Sequence, residues 1–283
     1  MLNFVNLWYN SKLKHSLKLK LSIFFLFTVY LANAQMHVFR SNNGINYVPP
    51  PPPLGNALSF SGTAADYVDC GTSSKLNLTS SMTVELWIKP SRDMGVLGGW
   101  DRLVHRNYQT GYFFGGSGGN INALSIVLNN NQLIMITPNN TAVVGVWQHI
   151  AFVVDDLANM AYIYKNGNLV SSATWTGTIP GNPNSQLTLS QNSESFGGAM
   201  DDVRIWNTVR TQDQLRANMN VELNGNETGL VAYYTFNQGT ADGNNTAITT
   251  VIDKTTNPSN GTLTSFTKNG ASSNFVLGKV AKQ

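Results

Sequence analysis

From Asn56 onward the chain is built of short runs in which apolar and polar residues alternate, broken by glycine, asparagine and proline. ALSFSG (57–62), YVDCG (67–71), MTVELWIKP (82–90), LVHRN (103–107), GYFFG (111–115) and ALSIVLN (123–129) are the first of these runs. QLIMITP (132–138), WQHIAFVVD (147–155), MAYIYKNG (160–167), NLVSSATW (168–175), QLTLS (186–190) and MDDVRIW (200–206) continue the series. A period of two over four to eight residues, bounded by turn formers, predicts β-strands. Many short strands at close spacing predict a sandwich or barrel. In YIYKNGNLV the pair Asn166-Gly167 supplies the two positive φ angles of a type I′ hairpin turn. A second turn is expected at Asn129–Asn131. The period changes to a helical one at a single place. Thr211 and Gln214 have the spacing of a capping box, and Leu215 and Met219 follow on one face, so one short helix is expected near 212–219.

The first 55 residues follow other rules. Lys12, Lys14, Lys18 and Lys20 precede the apolar run LSIFFLFTVYL, and Ala32-Asn33-Ala34 follows it. This is the pattern of a secretory signal peptide over 1–34, and the run is shorter than a bilayer-spanning helix requires. The mature chain would then begin at Gln35, with no membrane span. Residues 35–55 form an aperiodic tail and a spacer. The five prolines Pro49–Pro53 favour polyproline II, and an SH3-type ligand is the alternative use of such a run. The remaining domain is 56–283.

The leader also alters the charge. The full chain has 18 Lys+Arg against 15 Asp+Glu, and four of those lysines leave with residues 1–34. The mature balance is 14 against 15, so the basic surface that nucleic acid needs is absent. A single cysteine, Cys70, excludes an internal disulfide framework, so stability rests on a core that about 249 residues can bury.

Five of the runs, ALSFSGTAADYVDCG, MTVELWIKP, WQHIAFVVD, YKNGNLV and GAMDDVRIW, occur in an order and spacing that resembles the LamG-like jelly-roll family, bacterial secreted type, of the concanavalin A-like lectin/glucanase superfamily. The resemblance covers about residues 56–220. It implies an all-β fold, a jelly-roll sandwich of two antiparallel sheets. It also implies extracellular glycan or protein binding, often with a structural calcium. Residues 229–277 (GLVAYYTFNQGTADGNN onward) resemble the opening strands of such domains. Here they follow the DDVRIW strand, so a permuted order is expected, with a C-terminal hairpin packing back on the sandwich.

The adjacent carboxylates Asp201 and Asp202 open the question of chemistry. Strict alternation puts Asp201 on the core-facing side with Val203 and Ile205, and Asp202 opposite, beside Arg204 and Trp206. An inward carboxylate needs a partner. Hydrogen bonds from backbone N–H groups are one kind. The family resemblance implies another, a calcium ion at Asp201. In relatives an acidic residue of the first strand stands near that site, where this chain has Ser61, which lowers the ligand charge. Asp202 is expected to form a partly exposed pair with Arg204.

Glycoside hydrolysis needs two carboxylates on one face. The four glutamates Glu85, Glu194, Glu222 and Glu227 have no acidic neighbour at i+2 or i+4, and no nucleophile motif surrounds Cys70, His105 or His149. Catalysis is therefore not expected. Sugar binding needs aromatic faces and amide or guanidinium groups. The segment GGWDRLVHRNY between glycine-rich flanks brings Trp100, Asp101, Arg106, Asn107 and Tyr108 close in sequence, and these are the candidate ligand residues. Trp87 and Trp147 are expected in the core. The sequence thus describes a secreted or cell-surface, non-catalytic module binding a glycan, with a cell-surface protein as the alternative partner. A divergent glycosidase-like protein stands behind both.

Overall fold

The computed structural model describes residues 40–41, 44–45 and 55–279, except 64, 65, 97, 98, 108 and 192. Residues 1–34, read as a signal peptide, and the five prolines lie outside the described residues. In the first compact unit, which ends at Pro53, β1 (Arg40–Ser41) pairs antiparallel with β2 (Gly44–Ile45).

The second unit is the sandwich. Its strands are β3 (Asn56–Ser61), β4 (Tyr67–Asp69), β5 (Met82–Pro90), β6 (Arg102–Arg106), β7 (Tyr112–Ser117), β8 (Asn120–Leu128), β9 (Gln132–Ile136), β10 (Gln148–Asp155), β11 (Met160–Lys165), β12 (Asn168–Thr174), β13 (Thr188–Leu189), β14 (Gly197–Trp206), β15 (Leu230–Tyr234), β16 (Thr250–Val251), β17 (Gly261–Thr264) and β18 (Asn274–Leu277), with helix α1 (Gln212–Asn218) between β14 and β15. One eight-stranded sheet runs β12-β11-β10-β5-β14-β3-β18, with β15 also paired to β14. The other runs β16-β17-β4-β13-β6-β7-β8-β9, and every pairing in both is antiparallel. The expected all-β jelly roll of two antiparallel sheets with one short helix is the observed fold.

Period-two patterning explains how the layers close. Val84, Leu86, Ile88, Phe152 and Ile163 of the first sheet enter one core with Val104, Tyr112, Phe114, Leu124 and Ile126 of the second. Phe114 stacks on Phe152 across the layers with centroids 5.1 Å apart. Faces of this kind interdigitate to give the usual sandwich interior. Cys70 is buried in the same core, and burial pushes its thiol up to about 12, so it is an inert apolar filler. Of the tryptophans, Trp175 belongs to this core, whereas Trp147 is only half-buried and Trp87 packs on the outer side of the first sheet, contrary to expectation for both. Trp87 leaves the core because it alternates with Leu86 and Ile88.

The turn chemistry appears where the sequence placed it. Asn166 and Gly167 have φ of 50° and 73°, and Asn129, Asn130 and Asn131 have φ of 27°, 52° and 58°. Thr211 accepts from the Gln214 N–H, and the Gln214 side chain returns to the Thr211 N–H, completing the capping box. Helix α1 lies on the outer face of the first sheet, with Leu215 packed on Ala151, Val153 and Tyr164.

Residues 229–277, read from the sequence as a hairpin, supply four strands divided between the two sheets. β15 pairs with β14 and β18 with β3, while β17 pairs with β4 and carries β16 at the edge. Tyr234, Phe236, Val251 and Phe275 from this segment are fully buried in the main core.

Candidate functional site

Two places gather polar chemistry. The first is the outer face of the first sheet around β14, where the phase of the strand changes. Asp201 pairs with Trp87 and Arg204 with Glu85, so Asp202 and Val203 together stand opposite Leu86. This is a β-bulge, and Asp202 takes φ of 49° in it. The extra residue shifts the alternation by one. Met200, Val203 and Ile205 face the core, and Asp201 and Asp202 both face outward. The expectation that Asp201 points inward, away from Asp202, is therefore overturned. The bulge sits where β14 exchanges its partner β3 for β15.

Lys279 clasps both carboxylates. Its backbone N–H donates to Asp201 Oδ2 at 3.1 Å and its Nζ lies 2.6 Å from Asp202 Oδ2. Nζ also donates to the Met219 carbonyl and stands 4.7 Å over the Trp87 ring. Tyr233 Oη donates to Asp202 Oδ1 at 2.6 Å. Asp202 is thus buried and held chiefly by Lys279 and Tyr233, not in an exposed pair with Arg204, whose guanidinium is 3.7 Å away. Burial, and then the charge of Asp202, push Asp201 up to about 7 against the opposing pull of Lys279.

Beside them Glu85 lies under residues 207–223. Its Oε1 accepts from Trp206 Nε1 at 2.9 Å, and Oε2 is 3.0 Å from His149 Nε2. Burial alone would raise this carboxyl. The His149 hydrogen bond and charge, Arg204 and the Trp206 N–H together hold it below its ordinary value. Arg204 donates to the carbonyls of Asn218 and Val221. This network fastens the 207–223 segment to the sheet, and Glu85, His149 and Arg204 are each about 1% exposed, which leaves no room for a substrate.

The calcium expectation joined Asp201 to Ser61, and the register separates them. Ser61 pairs with Gly197, four residues before Asp201, or roughly 13 Å along the strand. Ser61 gives its N–H and hydroxyl to Asp66 at 2.8 and 3.0 Å. The cation position at Asp201 and Asp202 is filled by Lys279. These residues do not fit a calcium ion, and among the described residues no three His, Cys, Asp or Glu come together as a metal set.

The second place is a cleft of about 430 Å³ on the outer face of the second sheet, lined by Tyr67, His105, Asn107, Asn184, Ser185, Gln186, Thr188 and Gln191. β4, β13 and β6 form its floor. Thr188 is the register partner of His105, and His105 of Phe113, which gives a row across three strands. The row faces outward because Val104, Tyr112, Phe114 and Leu189 alternate with it into the core. Residues 181–186 form one wall.

Of the five ligand candidates, Asn107 lines the cleft, with φ of 46°, and donates to Ser185 Oγ at 2.9 Å. Arg106 is 1% exposed and turned to the core side. It donates to the Asn182 carbonyl at 3.0 Å and so holds the wall from behind. Asp101 is buried, accepts from the Gly95 N–H at 2.6 Å and pairs with Arg92 at 2.6 Å, which ties the preceding loop. Trp100 is half-buried and packs edge-on against Phe113 with centroids 5.4 Å apart, on the same outer face. Tyr108 lies outside the described residues. The sequence segment therefore supplies one lining side chain and two anchors.

Tyr67, His105 and the 184–191 residues were missed. They come from three separate stretches, and only the run NPNSQ at 182–186, dense in amides and hydroxyls before a strand, was a usable signal. Burial, followed by the charge of Arg102, pushes His105 down to about 3, so its imidazole is neutral. Arg102 forms an ion pair with Glu194 and stands 4.8 Å over the Phe113 ring. His105 Nε2, Thr188 Oγ1 and Gln191 Oε1 have no hydrogen-bond partner among the described residues. Unpaired buried polar atoms are uncommon and cost about 1–3 kcal/mol each.

The sequence profile of the concanavalin A-like lectin/glucanases superfamily matches residues 61–216, more than half of the chain. The protein belongs to this superfamily. Among solved structures this superfamily member is similar to a candidate carbohydrate binding protein from Bacteroides ovatus, with 23% identity and a TM-score of 0.57, covering 79% of this chain and 62% of that one. The chain thus spans under two thirds of that structure's length. A native heptameric SAP-like pentraxin from Limulus polyphemus gives 17% identity and a TM-score of 0.43, with coverage of 57% and 80%. Domain 4 of an extracellular arabinanase from Geobacillus stearothermophilus, solved with arabinotriose, gives 18% and 0.42, with coverage of 65% and 81%. No curated protein matches the sequence. No described helix is long and apolar enough to cross a membrane.

Proposed function

We propose that this superfamily member is a secreted, non-catalytic glycan-binding module that takes a sugar in the cleft over β4, β13 and β6. The observation that carries the reading is the lining of that cleft: one aromatic ring, a neutral imidazole, six hydroxyl or amide side chains on strands and wall, and no carboxylate among the described lining residues. Half-buried Tyr67 offers a ring face, and Asn107, Asn184 and Gln186 offer amides to hydroxyl groups. A sugar site combines apolar surface with a few placed polar groups of this type. A glycosidase would require two carboxylates at the sugar. The leader over 1–34 supports export.

A glycan array probed with the chain from Gln35, with and without EDTA, tests the reading, followed by titration of any hit against Tyr67→Ala and Asn184→Ala. Both variants should keep the melting temperature and lose at least tenfold in affinity. Variants that bind as well as the wild type would remove the site from this cleft. A protein partner is the second reading. Val143, Val144 and Val146 stand between 39% and 51% exposed beside half-buried Trp147, an apolar loop at the domain surface. An array with no hit would favour that reading.

A further inference from the structure

The charge around the cleft has a consequence for which sugars it can take. All of its lining side chains are uncharged, His105 included. The guanidinium on the same outer face, Arg102, is matched by Glu194, and Arg106 is turned away behind the wall to the Asn182 carbonyl. An acidic sugar entering the cleft would lose part of the hydration of its carboxylate and meet no uncompensated cation in exchange. A neutral sugar has no such loss. Its hydroxyls both donate and accept, as amide and hydroxyl walls require.

Resting on the glycan-binding reading above, we infer that the cleft selects neutral sugars over uronic and other acidic sugars, and that the Arg102–Glu194 ion pair enforces the selection. Glu194 has two effects. It cancels the guanidinium that could hold a sugar carboxylate, and it puts a negative oxygen beside Arg102, which stands over Phe113, the register partner of the lining residue His105. Its side chain is 23% exposed and that of Arg102 is 10% exposed, so solvent screens the pair only in part.

The test is titration of the chain from Gln35 with matched pairs at one ionic strength: galacto-oligosaccharides against oligogalacturonides, and gluco-oligosaccharides against oligoglucuronides. The neutral member of at least one pair should bind, with its acidic counterpart weaker by tenfold or more. Comparable binding of both members would overturn the selectivity and leave the glycan-binding reading intact. Binding of neither member in any pair, together with an empty array, would overturn both. Glu194→Gln separates the role of the ion pair. It should raise affinity for the acidic member by about tenfold and leave the neutral member unchanged. If the variant melts like the wild type and acidic binding does not rise, the ion pair is not the selecting element.

Discussion

Replacing Asp201 by asparagine tests the clasp around β14 through its pH dependence. In the folded protein burial and the neighbouring Asp202 push the Asp201 carboxyl from its ordinary 3.8 to about 7. The folded state therefore holds a proton that the unfolded chain has released, between about pH 4 and pH 7. The stability associated with that proton is fully present below pH 4 and is lost as pH rises through 7. A difference of three units at about 1.4 kcal/mol each amounts to roughly 4 kcal/mol, an upper figure because Lys279 is shared with Asp202. Asparagine has the same shape, can still accept the Lys279 N–H and does not ionise. Asp201→Asn should therefore stabilise the domain by about 2–4 kcal/mol at pH 8, a rise in Tm of roughly 5–10 °C for a domain of this size. Near pH 4 the variant and wild type should melt within about 1 °C of each other. Thermal melts by circular dichroism at unit steps from pH 4 to 8 measure the difference directly. A difference in Tm that stays constant across this range would refute the reasoning, because no proton would then be taken up at Asp201 on folding.

Further outcomes follow from the same geometry. Glu85→Ala leaves His149, Arg204 and Trp206 without their buried acceptor, and urea unfolding at pH 7 should show a loss of about 3–5 kcal/mol. A loss below 1 kcal/mol would mean that the network does not hold residues 207–223. Because the Glu85 carboxyl is held below its ordinary 4.5, its contribution is present above that pH and should disappear as pH falls below it. Deleting residues 226–283 removes four strands and the core side chains Tyr234, Phe236, Val251 and Phe275, and exposes the edges of β3, β4 and β14. The shortened chain should show no cooperative melt, and a melt within a few degrees of the full chain would contradict the shared core. Millimolar calcium should change Tm by less than about 1 °C, since Lys279 fills the cation position at Asp201 and Asp202. A larger rise that Asp201→Asn abolishes would place the ion there.

What could be read in the sequence was local. The period of two gave the strands, Asn166-Gly167 the hairpin and Thr211–Gln214 the helix start, because each depends on φ, ψ and side chains within a few residues. The superfamily could be read for the same reason, from five such runs in order. Asp201 shows where this reading stops. Nothing in GAMDDVRIW announces a bulge, because the bulge arises where β14 changes partner from β3 to β15, more than a hundred residues apart in the chain. One inserted residue turned an expected inward carboxylate into half of an outward pair. Glu85 and Trp87 alternate with the core residues Leu86 and Ile88, but their burial on the outer side depends on residues 207–223 and Lys279.

The cleft is the plainest case. Asn107 was accessible to a sequence argument because it lies in a conspicuous loop, whereas Tyr67, His105 and Thr188 meet only because β4, β13 and β6 are neighbours in one sheet. The chain by itself determined the alternation, the turns and the cap, all set by short-range sterics and hydrogen bonding. Tertiary structure alone decided which polar side chains share a face and which charges find a partner, because both are properties of strand order and register, and long-range pairing sets them.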